Sequence, residues 1–145
     1  MAVCHQIFQE AGRPQFRRHM LAHILDTSQA FLEEKGIKDK GKANVWGIIS
    51  KVYRNEGRWK EAEELEVQVM ETRKRVLGAE HPDTLTSMDN LAYTWKSQGR
   101  SNEAISLLAK CHELRKRILG SRHPFTLSSL RALIEWRIER TILES

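Results

Sequence analysis

The stretch from Gly57 to Leu85 recurs without a gap 42 residues later, as Gly99 to Leu127. Of the 29 paired positions 15 are identical, among them Gly57/Gly99, Arg58/Arg100, Glu61/Glu103, Ala62/Ala104, Leu65/Leu107, Arg73/Arg115, Gly78/Gly120, His81/His123 and Pro82/Pro124. A fixed period of this length is the mark of stacked repeats, in which each unit buries its apolar face only against its neighbours. Few other architectures are open to such a chain. With 145 residues it holds one domain with a continuous core, divided at the repeat boundaries.

Within the repeat the apolar periodicity is helical. Trp59 to Leu77 carries Ala62, Leu65, Val69, Thr72 and Val76 three and four residues apart, as a packed seam requires. One period later the seam reads Ala104, Leu107, Cys111, Leu114 and Ile118. Ala43 to Glu56 places Ala43, Trp46, Ile49 and Tyr53 on one face, and Gly57 supplies a left-handed stop. The linker Ala79 to Thr84 starts a third such helix at Pro82, whose missing N–H would have had no partner in a first turn. That helix runs to about Gln98 and offers Leu85, Met88, Leu91, Ala92 and Trp95 to the core.

The ends are less regular. His19 to Lys35 reads as an amphipathic helix with Met20, Ile24, Thr27 and Phe31 as its stripe and Leu21, Leu25 and Leu32 beside it. It ends at Gly36, one period before Gly78. Before it, Cys4 to Glu10 fits a short helix broken by Gly12 and Pro14, and Lys35 to Lys42 reads as a polar turn. After His123-Pro124 a helix with Leu127, Leu130, Leu133 and Ile134 passes Trp136 into the charged Arg137, Glu139 and Arg140, with no glycine to match Gly99. The expected organisation is a degenerate cap or partial repeat over 1–42, repeats over 43–84 and 85–126, and a capping helix over 127–145. Modest stability, or self-association through an end helix, is expected of so few repeats.

The spacing inside each unit resembles the tetratricopeptide repeat, a helix–turn–helix. Ile49-Ser50, Tyr53, Gly57, Trp59, Ala62 and Val69 in the first unit, and Leu91-Ala92, Trp95, Gly99, Ala104, Leu108 and Cys111 in the second, stand at its signature places. The long period and the run R-K-R-[VI]-L-G-x-x-H-P-x-T-L resemble the kinesin-light-chain-like branch. GRWKEAEELEVQVMETRKRVLGAEHPDTLTSM and NLAYTWKSQGRSNEAISLL are similar to the C-terminal arrays of fungal NB-ARC or NACHT receptor-like proteins. The resemblance implies an all-α solenoid of stacked antiparallel hairpins in a right-handed superhelix. It also implies a non-catalytic adaptor or sensor arm that binds protein, and the chain has no GxxxxGK[ST] loop of its own.

In that fold the first helix of each unit lines a concave groove. The transferred positions are Asn44, Gly47, Ile48, Lys51, Arg54 and Asn55, then Thr86, Asp89, Asn90, Tyr93, Lys96 and Ser97, then Ser128, Arg131, Ala132 and Glu135. Lys51, Arg54, Lys96 and Arg131 make the strip basic, Asn90 can bond a peptide backbone through both its donor and its acceptor, and an exposed Ile48 offers an apolar contact. Lys51, Arg54, Asn55, Asn90, Tyr93, Lys96 and Arg131 are the expected partner-binding residues, and the expected partner is a protein segment, acidic in part. A spacer or oligomerisation segment of a larger receptor-like protein is the alternative.

Other chemistries find little to stand on. The net charge of +5 allows an acidic partner without requiring one. The Arg-Lys-Arg runs lie in the last turns of second helices, where the helix dipole favours cations, and no aromatic residues interleave them as base stacking would need. Neither Cys4-His5 nor Cys111-His112 has the paired spacing of a zinc site, and Cys111 shares a repeat position with Val69, a core place. His81 and His123 recur with the linker. No catalytic residue, cofactor or metal is expected. With no membrane-length apolar run and no signal peptide, the expected setting is cytoplasmic.

Overall fold

Glycine and proline set the boundaries of the fold. The computed structural model describes residues 14–36 and 38–145, and these form α1 (Pro14–Glu34), α2 (Asp39–Asn55), α3 (Trp59–Leu77), α4 (Pro82–Ser97), α5 (Ser101–Leu119) and α6 (Pro124–Glu144). No strand occurs among the described residues. The chain is an all-α stack of antiparallel hairpins, α2–α3 and α4–α5, with α1 before them and α6 after.

Each boundary device occurs twice. Gly57 and Gly99 take φ of 72° and 81°, where a side chain would be strained, and the next N–H closes each helix end: Arg58 donates to the Tyr53 carbonyl and Arg100 to the Trp95 carbonyl, both at 2.9 Å. His81 and His123 cap the helices that follow. The Asp83 N–H donates to His81 Nδ1 at 3.1 Å and the Phe125 N–H to His123 Nδ1 at 3.2 Å, each with proline in the first turn. The recurrence of these histidines is therefore a folding signal. Arg58 stacks 4.6 Å from the Tyr53 ring and pairs with Glu61, while Arg100 stacks 4.8 Å from the Trp95 ring and pairs with Glu103.

The core runs as a series of clusters along the stack. Ile49 and Tyr53 meet Ala62 and Leu65, Leu85 and Met88 meet Cys111, and Ala92, Ala104, Ile105 and Leu108 meet Ala132, Leu133 and Trp136. Leu91 and Leu108 are wholly buried, and burying a leucine contributes about 1.5–3 kcal/mol. Cys111 is buried as expected, its thiol donating to the Leu85 carbonyl at 3.3 Å. Burial pushes that thiol far above its usual range.

Several expectations need correction. α1 begins at Pro14, earlier than the helix expected from His19, because proline fits a first turn. The turn expected over Lys35–Lys42 is shorter, since α2 already starts at Asp39, whose carboxylate suits a helix N-terminus. On α1 the inward residues are Leu25 and Leu32, while Met20, Ile24 and Phe31 face solvent. Val76 and Ile118, at the far ends of their seams, are exposed, whereas Ile105 and Leu108 are buried. Leu127, Leu130 and Ile134 on α6 are exposed too, because no helix among the described residues covers that side. The short helix expected over Cys4–Glu10 lies outside the described residues.

Candidate functional site

The two hairpins share a scaffold, so the places where their residues differ show what each junction is built to do. At the second junction α5 meets α6 through apolar contacts, with Leu108 against Trp136. At the first junction the equivalent residues are Glu66 and Thr94. Glu66 is only 2% exposed, and its Oε2 accepts a 2.6 Å hydrogen bond from the Thr94 hydroxyl. Its Oε1 lies 3.2 Å from Arg54 Nε, but poor alignment leaves both atoms buried without a hydrogen-bond partner. Burial pushes the Glu66 carboxyl above its usual range, and the Thr94 hydroxyl and the Arg54 guanidinium pull it back only in part.

A second difference opens space. In the second hairpin Asp89 pairs with Arg115, which also reaches the Phe125 carbonyl. In the first hairpin Gly47 stands at the Asp89 position, and the matching Arg73 has no carboxylate partner among the described ion pairs. Arg73 instead donates to Ser87 Oγ at 2.9 Å, to the Asp83 carbonyl at 3.2 Å and to Asn44 Oδ1 at 3.2 Å. With glycine at 47 and no leucine at 66, a groove of about 520 Å³ lies between α2 and α4. Asn44, Ile48, Lys51, Thr86 and Asn90 form its walls, Ser50, Val69 and Ser87 its floor, and Glu66 and Arg73 its polar base.

The groove brings together only some of the residues expected from sequence. Asn44, Gly47, Ile48, Lys51, Thr86 and Asn90 line it, with Ile48 67% exposed and Lys51 open to solvent. Arg54 sits beneath it, held by Glu66 and donating to Asn90 Oδ1 at 3.4 Å. Asn55 is exposed at the end of α2, outside the groove. Tyr93, Lys96 and Arg131 lie beyond it. Tyr93 meets the Trp136 ring edge-on at 4.9 Å, and burial followed by the nearby Asp89 carboxylate raises its phenol above the usual range. Lys96 pairs with Glu139 at 2.6 Å and Arg131 with Glu135 at 3.3 Å. Ala132 is a core residue, because α6 turns that side onto α5.

Lys51 is exposed with no ion pair among those of the described residues, whereas Arg54, Lys96 and Arg131 are matched by Glu66, Glu139 and Glu135. Sequence reasoning also missed Glu66, Val69 and Arg73, because the transferred positions came from first helices alone. A signal existed, since Glu66 places a carboxylate where the next unit has Leu108.

A second polar centre joins the units at the end of α4. Glu63 accepts from Trp95 Nε1 at 2.7 Å, Gln98 Nε2 at 2.9 Å and Arg100 at 2.6 Å. Burial works the other way, yet the three donors hold the Glu63 carboxyl below its usual range. The donors are all spent inside the fold, so this centre is structural. Among the described residues no helix is long and apolar enough to cross a membrane, and no cluster of potential metal ligands occurs.

Stacked antiparallel hairpins with a lined groove on the first-helix side define a helical-repeat solenoid, a class whose sites are surfaces for other chains. The chain belongs to the tetratricopeptide-repeat family: residues 49–83 and 84–125, more than half of it, match the repeat. It is similar to two crystal structures of nearly identical TPR-like repeats from a Podosopora anserina protein designated a kinesin light chain, one of them a single-residue variant. The variant is 26% identical with a TM-score of 0.64 over 74% of this chain, and the other is 25% identical with a TM-score of 0.68 over 90%. The chain spans only 51% and 61% of those two structures. Comparison with curated proteins gives no match. Tetratricopeptide repeats generally mediate protein–protein interaction.

Proposed function

We propose that this chain is a non-catalytic protein-interaction module that receives an extended partner segment in the groove between α2 and α4. The observation that carries the reading is the groove itself, which combines an exposed isoleucine, amides at Asn44 and Asn90, and two cations, Lys51 and Arg73, with no carboxylate partner among the ion pairs of the described residues. An extended segment has backbone donors and acceptors to satisfy, and the amides offer both. Ile48 takes an apolar side chain. Lys51 and Arg73 favour an acidic residue beside it, each exposed pair contributing only about 0.2–1 kcal/mol. Several such contacts with one apolar anchor give affinity on the order of micromolar, near −8 kcal/mol.

Arg54 and Lys96, already paired, shape the groove and its flank and leave capture to Lys51 and Arg73. In this reading the module is the cytoplasmic repeat arm of a receptor-like protein, as the resemblance to NB-ARC and NACHT arrays implies, with α1 before and α6 after its two central repeats.

The test uses peptides selected against the chain from a random display library, measured by fluorescence anisotropy. Selected peptides should carry an acidic and a bulky apolar residue. They should lose at least about tenfold in affinity on Ile48→Asp with Lys51→Glu, since 1.4 kcal/mol is a factor of ten. Both side chains face solvent, so the helical signal should be unchanged. Selected peptides that bind the double variant as well as the parent refute the assignment.

A further inference from the structure

One apolar surface lies away from the groove and takes no part in it. Three first-helix positions recur through the stack, occupied by Ala43, Trp46 and Ser50 in α2, by Leu85, Met88 and Ala92 in α4, and by Leu127, Leu130 and Ile134 in α6. In α4 they are 1%, 6% and 0% exposed, covered by Leu107, Cys111 and Leu114 of α5. In α6 the same positions are 50%, 40% and 51% exposed, and Ile138 one turn further is 55% exposed. The opposite side of α6 is already used, with Ala132, Leu133 and Trp136 packed on α5. A helix apolar on both sides belongs inside a stack.

We infer that the Leu127–Leu130–Ile134 face of α6 is a docking site for an amphipathic partner helix built on the pattern of α5, lying antiparallel to α6 with an acidic residue in its first turn. Two observations fix this occupant. The surface continues the interface that α4 makes with α5, so it accepts what α5 presents: a small residue at the Ala104 place, leucine at the Leu107 place and a compact residue at the Cys111 place. At the aromatic place of Tyr53 and Trp95, where the first two units stack an arginine, α6 has Arg137. Arg137 is exposed and has no ion pair among those of the described residues. A second arginine there would be repelled, and a carboxylate attracted.

The probe is a labelled synthetic peptide of this chain's own Ser101–Leu119, which has Glu103 in its first turn. Titrated with the full chain under reducing conditions, its anisotropy should saturate at one peptide per chain. Ile134→Asp should weaken binding at least about tenfold. Arg137→Glu should weaken it less and be partly rescued by Glu103→Lys in the peptide. The substituted side chains are exposed, so circular dichroism should report an unchanged fold. Sedimentation of the chain alone decides the rival occupant. A dimer that Ile134→Asp dissociates and the peptide fails to displace would overturn the proposal in favour of a second copy. Absence of peptide binding to a monomeric chain, or binding that Ile134→Asp leaves intact, would overturn it as well.

Discussion

Thr94→Val tests the polar junction at the groove base through both its size and its pH dependence. Thr94 is wholly buried, and valine keeps its shape while removing the hydroxyl that donates to Glu66 Oε2 at 2.6 Å. A hydrogen bond to a charged group contributes about 1.5–3 kcal/mol. The substitution should therefore cost about 2 kcal/mol at pH 7, lowering Tm by about 4–8 °C in a chain of this size. The sign of the pH effect follows from Glu66. Its folded carboxyl lies above its ordinary value of 4.5, so between the two the folded state holds a proton that the unfolded state has released. Stability from this group is full below the ordinary value, falls as pH rises through that window, and is constant above it.

Thr94 lowers the folded value, so Thr94→Val raises it further and makes the fall with pH longer and deeper. The difference between variant and parent should shrink to about 1 kcal/mol near pH 4, where a neutral carboxyl accepts a weaker bond. Urea unfolding followed by circular dichroism at both pH values measures it, with an unchanged m-value as the sign that the unfolded state is the same. Comparing the two proteins cancels every other titrating group. A cost that is equal at pH 4 and pH 7, or below about 0.5 kcal/mol at pH 7, would show that Glu66 is not held as a charged group by this bond.

Two more outcomes concern the Glu63 centre and the repeated histidine caps. Glu63→Gln should destabilise by about 1.5–3 kcal/mol at neutral pH, because Glu63 accepts from Trp95, Gln98 and Arg100. Its folded carboxyl is held low, so that stability is present above the ordinary value of 4.5 and lost as pH falls through the folded value; the cost read from urea midpoints should shrink from pH 7 to pH 3. His81→Ala and His123→Ala should each cost about 1 kcal/mol as lost caps, adding nearly independently in the double variant because they start different helices. Asparagine at either place should restore most of the loss in thermal unfolding, whereas a deficit unrelieved by asparagine would mean the imidazole is not acting as a cap.

Identity between repeats made the fold legible, and difference between them held the site. Gly57/Gly99, His81/His123, Pro82/Pro124 and Ala62/Ala104 specify turns, caps and close helix approach, all local matters that a sequence states directly. Whether a cation is free is settled by partners far along the chain. Arg54 meets Glu66 across a hairpin, and Lys96 meets Glu139, 43 residues on. Periodicity placed both residues on first helices and could not reveal that their charges were already matched. It was equally silent on α6, where it marks Leu127, Leu130 and Ile134 as apolar without saying whether a helix covers them. The second-helix contribution to the groove was missed for a related reason: Arg73 is long enough to cross from α3 to Asn44 on α2 and Ser87 on α4.

The two candidate surfaces arise from opposite departures from one repeat. Between α2 and α4 the apolar filler is gone, with Glu66 for Leu108 and Thr94 for Trp136, and Gly47 stands where Asp89 pairs with Arg115, which leaves a polar, open groove suited to an extended chain with its own hydrogen bonds to make. On α6 the apolar residues are kept but uncovered, which suits a helix whose backbone is already satisfied. In a solenoid each unit contacts only its neighbours, so energetic coupling between the two surfaces has to pass through the hairpin α4–α5. That hairpin is tied to the first by the Glu63 centre and to α6 by an apolar cluster around Leu108 and Trp136. A helix docked on α6 would therefore stabilise the second hairpin first, and would reach the groove through the α4 residues that line it, Thr86, Ser87 and Asn90, and through Thr94, which holds Glu66 at its base. Where those residues hold one conformation the surfaces act independently, and a partner that engages both gains by effective concentration without any change of shape.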